Sequence, residues 1–320
     1  MAVKHLCADC QIYKLLLAPY REGAGTLCII SSRATPGMLS WLMTTCAEHG
    51  MADIQIKLFI EAANKGIDEV SHNGFLELCS KRLEGIKLEC SYLLRPLILK
   101  DTLYIWLSEK DEPIKAYISA CDFTQASLFK QDYEKTVLEY PATDAYAVYE
   151  QTVGNSIYCN CADVEECVVI YKPRNSLSPS TVNTTSGWVH LSLLMRNGEI
   201  GTHSGLNWGQ RSGRNKNEAY IPLPRDIARS GFFPLDKQHF LAVTDDHHTL
   251  LLRVEQQNDK AITTPASNAQ LGEYFRNRLG LSNGAYVRTS DLTAYGRTDV
   301  AFYKIDDEQY YMDFSSNKEG

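Results

Sequence analysis

Between Lys172 and Gly187 the chain reads Lys-Pro-Arg-Asn-Ser-Leu-Ser-Pro-Ser-Thr-Val-Asn-Thr-Thr-Ser-Gly. A stretch so poor in apolar side chains has little to contribute to a core. It reads as a linker or a long loop at a domain edge, and it splits the chain into two parts that must each bury their own apolar residues. The expected division is residues 1–171, a linker over 172–187, and residues 188–320.

The two parts carry different periodicities. In the first, Thr26–Ser31 is a short apolar strand and Ile54–Ile60 alternates as a half-buried strand does. Thr35-Pro36 supplies an N-cap and a first-turn proline for a helix reaching about His49. Ser71 reads as the cap of a helix through Phe75, Leu76 and Leu83. Strands are expected near 87–93, 102–107 and 114–119, and a helix near 143–152. Alternation of this kind implies an α/β unit with a largely buried sheet. In the second part, short strands are expected at Val189–Met195, Ala219–Ile221, Phe240–Val243, Leu250–Glu255, Ala285–Val287, Val300–Lys304 and Tyr310–Phe314. Two short helices punctuate them, Leu271–Leu279 closed by Gly280 and one capped by Ser290 before Gly296. Many short strands with few helices predict a mainly β pseudobarrel.

The composition fits folded domains: 44% of the 320 residues are hydrophobic and 22% charged. A net charge of −7 excludes a protein coated in positive charge, though not a local basic face. The excess acid lies in the first part, which leaves the second as the better partner for a polyanion. No apolar leader precedes Cys10 and no apolar run reaches bilayer length, so the expectation is a cytoplasmic protein with reduced thiols and no membrane contact. Cys7-x-x-Cys10 and the group Cys159, Cys161 and Cys167 offer thiols for zinc, but the irregular spacing favours buried thiols, and no metal or cofactor is expected. Asp245-Asp246-His247-His248 reads as a hairpin turn before it reads as a metal site.

One tract carries the chemistry, or its absence. Lys100-Asp101-Thr102-Leu103-Tyr104-Ile105-Trp106 is followed, after a charged turn, by Lys115-Ala116-Tyr117-Ile118-Ser119-Ala120-Cys121-Asp122-Phe123-Thr124-Gln125. This pair of strands resembles the phospholipase D superfamily, where a His-x-Lys strand precedes a Gly-Ser-x-Asn strand. The corresponding positions here are Lys100 and Thr102, then Ser119, Ala120 and Asp122. The resemblance implies that a histidine should attack phosphorus while lysine and asparagine hold the phosphoryl oxygens. An imidazole suits that task because it is both a nucleophile and a leaving group near neutral pH. Lys100 is a poor nucleophile while protonated, Thr102 adds no charge, Ala120 has no hydroxyl, and Asp122 repels the phosphate that asparagine would bind. The site is therefore read as degenerate.

The wider text extends the likeness. Gly23–Ser32, Pro36–Trp41, Ser71-His72-Asn73-Gly74-Phe75, Leu103–Trp106, Phe123-Thr124-Gln125, Asp144–Tyr149 and Ser156-Ile157-Tyr158-Cys159 follow in an order that resembles the NgoFVII- and NgoAVII-like Type II restriction endonucleases. That family joins a phospholipase D-like nuclease domain to a pseudobarrel of the plant B3 transcription-factor type, which grips the major groove with two arms.

In the second part, Ser204–Pro224 concentrates Asn207, Trp208, Gln210, Arg211, Arg214, Asn215 and Asn217 between glycines. Arginine, asparagine and glutamine are the side chains that read base edges. A solvated loop has the same composition; the family resemblance makes this tract the first arm. Lys260–Leu279, with Lys260, Asn268, Gln270 and Arg276, is similar to the second arm and its following helix. Arg276 and Arg278 could equally pair with Glu273 or Asp299. The reading that follows is a sequence-specific double-stranded DNA binder of a restriction-modification or related defence system, its nuclease domain inactive alone. The resemblance also admits an active metal-independent restriction endonuclease, or a specificity subunit working with an active nuclease or ATPase. A homodimer through the first domain is expected.

Overall fold

The computed structural model describes residues 11–80, 85–129, 137–172, 187–255 and 257–316. The Cys7–Cys10 pair and nearly all of the polar tract lie outside them. The chain divides into two compact units, Met1–Pro173 and Arg174–Gly320.

The first unit is built on strands β1 (Thr26–Ser31), β2 (Ile54–Glu61), β3 (Ile67–Asp68), β4 (Ile86–Leu93), β5 (Thr102–Leu107), β6 (Pro113–Ser119), β7 (Val137–Tyr140), β8 (Ser156–Tyr158) and β9 (Ile170–Tyr171). Seven of them form one sheet in the order β7-β6-β5-β1-β2-β4-β8, while β3 and β9 pair separately. Strands β1, β2 and β4 are parallel, and β5 to β8 join antiparallel. Every residue of β1 and β5 is buried, as expected of central strands covered on both faces. Between β1 and β2 runs the Pro36–Glu48 helix, with the Thr35 hydroxyl accepting from the Met38 amide as read from the sequence.

The next helix departs from its expected start. It begins at Glu69, and the Asp68 carboxylate accepts from the Ser71 amide at 2.8 Å, so Asp68 is the cap and Ser71 lies inside the first turn. Asp68 is anchored by the β3–β9 pairing, which places its acceptor at the helix entrance.

The second unit contains β10 (Trp188–Ser192), β11 (Ile221–Pro222), β12 (His239–Thr244), β13 (Thr249–Glu255), β14 (Ala261–Thr263), β15 (Asp299–Lys304) and β16 (Gln309–Asp313). They form one sheet ordered β10-β15-β16-β12-β13-β14-β11, antiparallel except for β12 against β16, and its two edge strands come together to leave a nearly closed barrel. Phe233, Phe240, Phe302 and Tyr310 fill the interior with edge-on and tilted ring contacts. His247 adopts a positive φ in the β12–β13 hairpin turn, which bears out the turn reading of Asp245–His248.

Three sequence expectations change here. Ala285–Val287 forms no strand, because its backbone is claimed by side chains: Arg276 donates to the Ala285 carbonyl, and Asn207 bonds both the amide and the carbonyl of Val287. Ser290 is not a cap; the cap of the helix Thr289–Tyr295 is Arg288, two residues earlier, with the Asp291 carboxylate accepting from the Arg288 amide at 2.7 Å. Ala261–Thr263, read as part of an arm, is strand β14.

The helix Ala269–Arg278 lies hard against the Asn217 backbone. A methyl group on Gly272 would sit 1.7 Å from the Asn217 carbonyl oxygen. In an open helix, Gly→Ala stabilises by roughly 0.5–1 kcal/mol. At Gly272 the sign should reverse: Gly272→Ala is expected to lower stability by about 1–3 kcal/mol through overpacking, measured as a lower urea midpoint.

Candidate functional site

The ends of β1, β5 and β6 meet at the degenerate tract. Thr102 opens β5 directly opposite Ser119, the last residue of β6. The Thr102 hydroxyl lies 2.9 Å from the Ser31 hydroxyl at the end of β1, and both residues are buried. Ser31 Oγ donates to the Arg33 carbonyl at 2.7 Å, so Thr102 is the donor between the two hydroxyls. Ser31 Oγ also accepts from the Phe123 amide at 3.1 Å. Next to it, Ser32 Oγ donates to Asp122 Oδ1 at 2.7 Å. Ser119 Oγ accepts from the Cys121 amide at 3.1 Å. Lys100 and Ala120 are exposed, and Lys100 precedes the strand by two residues.

The fold thus brings the expected positions to one place, and two of the five, Thr102 and Asp122, are already bonded to Ser31 at the end of β1 and to Ser32 just beyond it. Ser31 and Ser32 carry no motif of their own; the only signal was their place at the end of an apolar strand.

Neither buried histidine of the described residues substitutes here. His72 is 5% exposed, its Nδ1 lies 2.9 Å from the Tyr92 hydroxyl, and burial lowers its pKa. Tyr92 belongs to β4, which β1 and β2 separate from β5. His239 is fully buried in β12 of the other unit, and its pKa is lowered by burial first and by Arg253 second.

Among the described residues no three His, Cys, Asp or Glu side chains are grouped to hold a metal ion. Asp245 and Asp246 are engaged with Arg278. The Arg278 guanidinium meets Asp245 through both terminal nitrogens at 3.0 and 2.6 Å, and Asp246 at 3.0 Å. It also donates to the Tyr274 and Tyr295 hydroxyls and the Phe314 carbonyl. Burial opposes its charge, but the Asp245 contact outweighs that, and its pKa is raised. The pairing of Arg278 is therefore with the β12–β13 hairpin rather than with Glu273 or Asp299.

The second unit sorts the residues read as DNA contacts into two sets. Asn207, Asn217 and Arg276 are buried and are corrected to structural roles. Asn207 Nδ2 donates to the carbonyls of Gly201 and Val287, and its Oδ1 accepts from the Val287 amide. Asn217 Oδ1 accepts from the Gly284 amide at 2.6 Å while its Nδ2 donates to Glu273. Arg276 donates to three carbonyls, those of Ala285, Gly272 and Leu206, at 2.8, 3.1 and 3.1 Å. Burial lowers its pKa. These side chains hold the loops together from within.

The other set stays at the surface. Arg211 and Arg214 both stand over the Trp208 indole, with guanidinium carbons 4.0 and 4.5 Å from the ring centroid. Arg211 Nε donates to the His203 carbonyl, a bond that leaves out the two terminal nitrogens of its fork. Arg214 pairs with Glu218 at 2.5 Å. Gln210 spends its Nε2 on the carbonyls of Lys216 and Gly284, and Asn215 accepts from the Asn217 amide, tightening the loop. Beside this loop, β11 pairs with β14, and the Ala219 amide donates to the Asn268 carbonyl. Lys260 is exposed, and Asn268 and Gln270 are half-buried. Two stretches far apart in sequence thus lie side by side, with Arg211, Arg214, Lys216 and Lys260 as exposed cations. Stacking on an indole fixes the arginines before any ligand arrives.

An α/β unit of strand ends gathered at a phospholipase D-like site, followed by a nearly closed β-barrel with basic loops, defines a nuclease-type domain joined to a nucleic-acid-reading domain. Residues 10–166 match the NgoFVII restriction endonuclease N-terminal PLD domain, and residues 182–306 match the NgoFVII C-terminal B3-like DNA-binding domain. The chain belongs to the NgoFVII restriction endonuclease family. A comparison with curated proteins returned no match. No described helix is long and apolar enough to cross a membrane.

Because Arg276 is interior and Arg211 exterior, they should separate in experiment. Arg276→Met strips three carbonyls of a charged donor and is expected to cost about 3 kcal/mol of stability. Arg211→Ala should stay within about 0.5 kcal/mol of wild type. Thermal unfolding of the two variants without DNA distinguishes them.

Proposed function

We propose that this chain binds double-stranded DNA at a specific sequence through the paired stretches 204–218 and 260–270, within a restriction-modification or related defence system. Its first domain, on this reading, does not cut DNA by itself. The observation that carries the proposal is the cluster at the ends of β1, β5 and β6, where Ser31 and Ser32 bond Thr102 and Asp122. Displacement at phosphorus needs a nucleophile and donors aimed at the phosphoryl oxygens. Here a hydroxyl is bonded to its neighbour, and a carboxylate stands where an amide would donate. Lys100 is the one cation among the five positions, and an exposed ammonium attracts phosphate more readily than it attacks it.

Recognition has the complementary chemistry. Arg211 presents a guanidinium whose terminal nitrogens fit a guanine edge or a phosphate, and Lys260 and Lys216 add charge along the same surface. The Glu218 partner makes Arg214 less available as a pure cation and better suited to an oriented contact.

DNA captured from a random pool, with cleavage assayed on the same sample, tests both halves. The expected result is an enriched sequence with no cutting, with or without added divalent cations. Site-specific cleavage that disappears in Lys100→Ala would overturn the inactive-domain reading. Arg211→Ala should weaken binding by about 1–3 kcal/mol, or roughly 5- to 150-fold, and relax one position of the enriched sequence if it reads a base. If it meets phosphate, the loss is uniform across sequences and the salt dependence becomes shallower.

A further inference from the structure

Three thiols of the first unit come together away from the degenerate strand ends. Cys79 lies near the end of the Glu69–Ser80 helix, Cys90 in β4, and Cys159 one residue beyond β8. Cys79 Sγ and Cys159 Sγ are 3.7 Å apart, although the residues are 80 positions apart in sequence. The Cys159 amide donates to the Cys90 carbonyl at 2.9 Å, so its backbone position is fixed from β4. Cys159 and Cys90 are buried, and Cys79 is partly exposed. Beside them opens a cavity of about 280 Å³ lined by Cys79, Leu88, Glu89, Cys90, Tyr158 and Asn160. Cys159 does not line it.

We propose that this cavity is a thiol–disulfide exchange site, in which Cys79 meets a small uncharged disulfide and Cys159 resolves the adduct. The geometry assigns the order. Cys79 is on the cavity wall, so its thiolate reaches an incoming disulfide first. Its sulfur bonds one sulfur of the reagent, the reagent's S–S bond breaks, and the other half leaves as a thiolate that takes up the proton Cys79 released. Cys159 then attacks the Cys79 sulfur. A Cys79–Cys159 bond forms, the mixed disulfide breaks, and the second half of the reagent leaves as a thiol carrying the Cys159 proton. Two protein thiols are oxidised and one small disulfide is reduced to two thiols.

The two sulfurs need to close by about 1.7 Å to reach bonding distance, a movement of side-chain torsions at the end of a helix. Cys90 is on the cavity wall too, but its backbone is held on one side by Leu58 of β2 and on the other by the Cys159 amide. Glu89 lines the cavity but its carboxylate accepts from Gln55 Nε2 at 2.8 Å, and Leu88, Cys90, Tyr158 and Asn160 are uncharged, which suits an uncharged reagent. The hydrogen bond to Cys159, and then burial, push the Cys79 thiol up, so its thiolate is scarce at neutral pH and exchange quickens as the pH rises.

Incubation of the full-length protein with bis(hydroxyethyl) disulfide, followed by alkylation and peptide mapping under non-reducing conditions, tests the assignment. The expected result is a Cys79–Cys159 crosslink as the dominant product. In Cys159→Ser the hydroxyethyl adduct should persist on Cys79, and in Cys79→Ala Cys159 should stay unmodified because it does not itself line the cavity. Adducts confined to Cys161 and Cys167, with Cys79 untouched in the wild type, would overturn the proposal. So would modification of Cys159 in Cys79→Ala. The wild-type map is decisive even if either variant fails to fold.

Discussion

The DNA-binding unit depends on a guanidinium buried without a carboxylate. Arg276 is fully buried, and its donors go to the backbone carbonyls of Leu206, Gly272 and Ala285. Those carbonyls belong to the Gly205–Gln210 turn, to the Ala269–Arg278 helix and to the 281–287 connection. One side chain therefore ties its own helix to two other segments. Placing a charge in the interior costs several kcal/mol unless its hydrogens are satisfied, and the pKa depression of Arg276 is the signature of that cost. Asn207 and Asn217 extend the same device with neutral amides, each bridging the recognition loop to residues 284–287. Loops that read DNA must be exposed, so they cannot be rigidified by an apolar core of their own. Here a polar core beneath them serves that purpose.

The first unit shows the opposite relation between polar groups and function. At the ends of β1, β5 and β6, the hydroxyls of Ser31 and Thr102 bond each other, and Ser32 donates to Asp122. A working phosphoryl-transfer site keeps its donors unspent until the substrate supplies the acceptors. Here the hydroxyls of Ser31, Ser32 and Thr102 are bonded within the protein. The three strand ends remain tied together through Ser31, Thr102 and the Phe123 amide, so the architecture of the domain is retained independently of any reaction there.

Much of the fold was legible because apolar periodicity and punctuation by proline and glycine report on backbone conformation locally. Thr35-Pro36 marked a helix start, Gly280 a helix end, and the strands β2, β5, β6 and β12 fell where alternation or apolar runs placed them. The failures share one physical origin. Asn207, Asn217 and Arg276 look like surface residues because their chemistry is polar, and nothing nearby in sequence says otherwise. The partners that make burial affordable for Asn207 and Arg276 are backbone groups up to 80 positions away. Ala285–Val287 has strand-forming residues, yet its hydrogen bonds were taken by those same side chains. Asp68 outcompeted Ser71 as a cap because the β3–β9 pairing, itself a long-range contact, held its carboxylate in place.

What distinguishes Arg211 from Arg276, then, is the orientation of each relative to the barrel, since both are arginines in glycine-bearing, polar surroundings. Arg276 sits on the inward face of a helix that Gly272 allows to approach Asn217. Arg211 emerges after a 3-10 turn, Gly205–Gln210, whose Gly209 lies tight against the Asn215 carbonyl. That turn puts Trp208 under the two exposed guanidiniums. Each glycine thus sets the direction of an arginine, one toward the core and one toward solvent. The buried arginine determines where the loop is held, and the exposed one determines what the loop offers to a partner. Specific recognition needs both, because a bidentate contact to a base gains affinity only when the fork is already positioned before the DNA arrives.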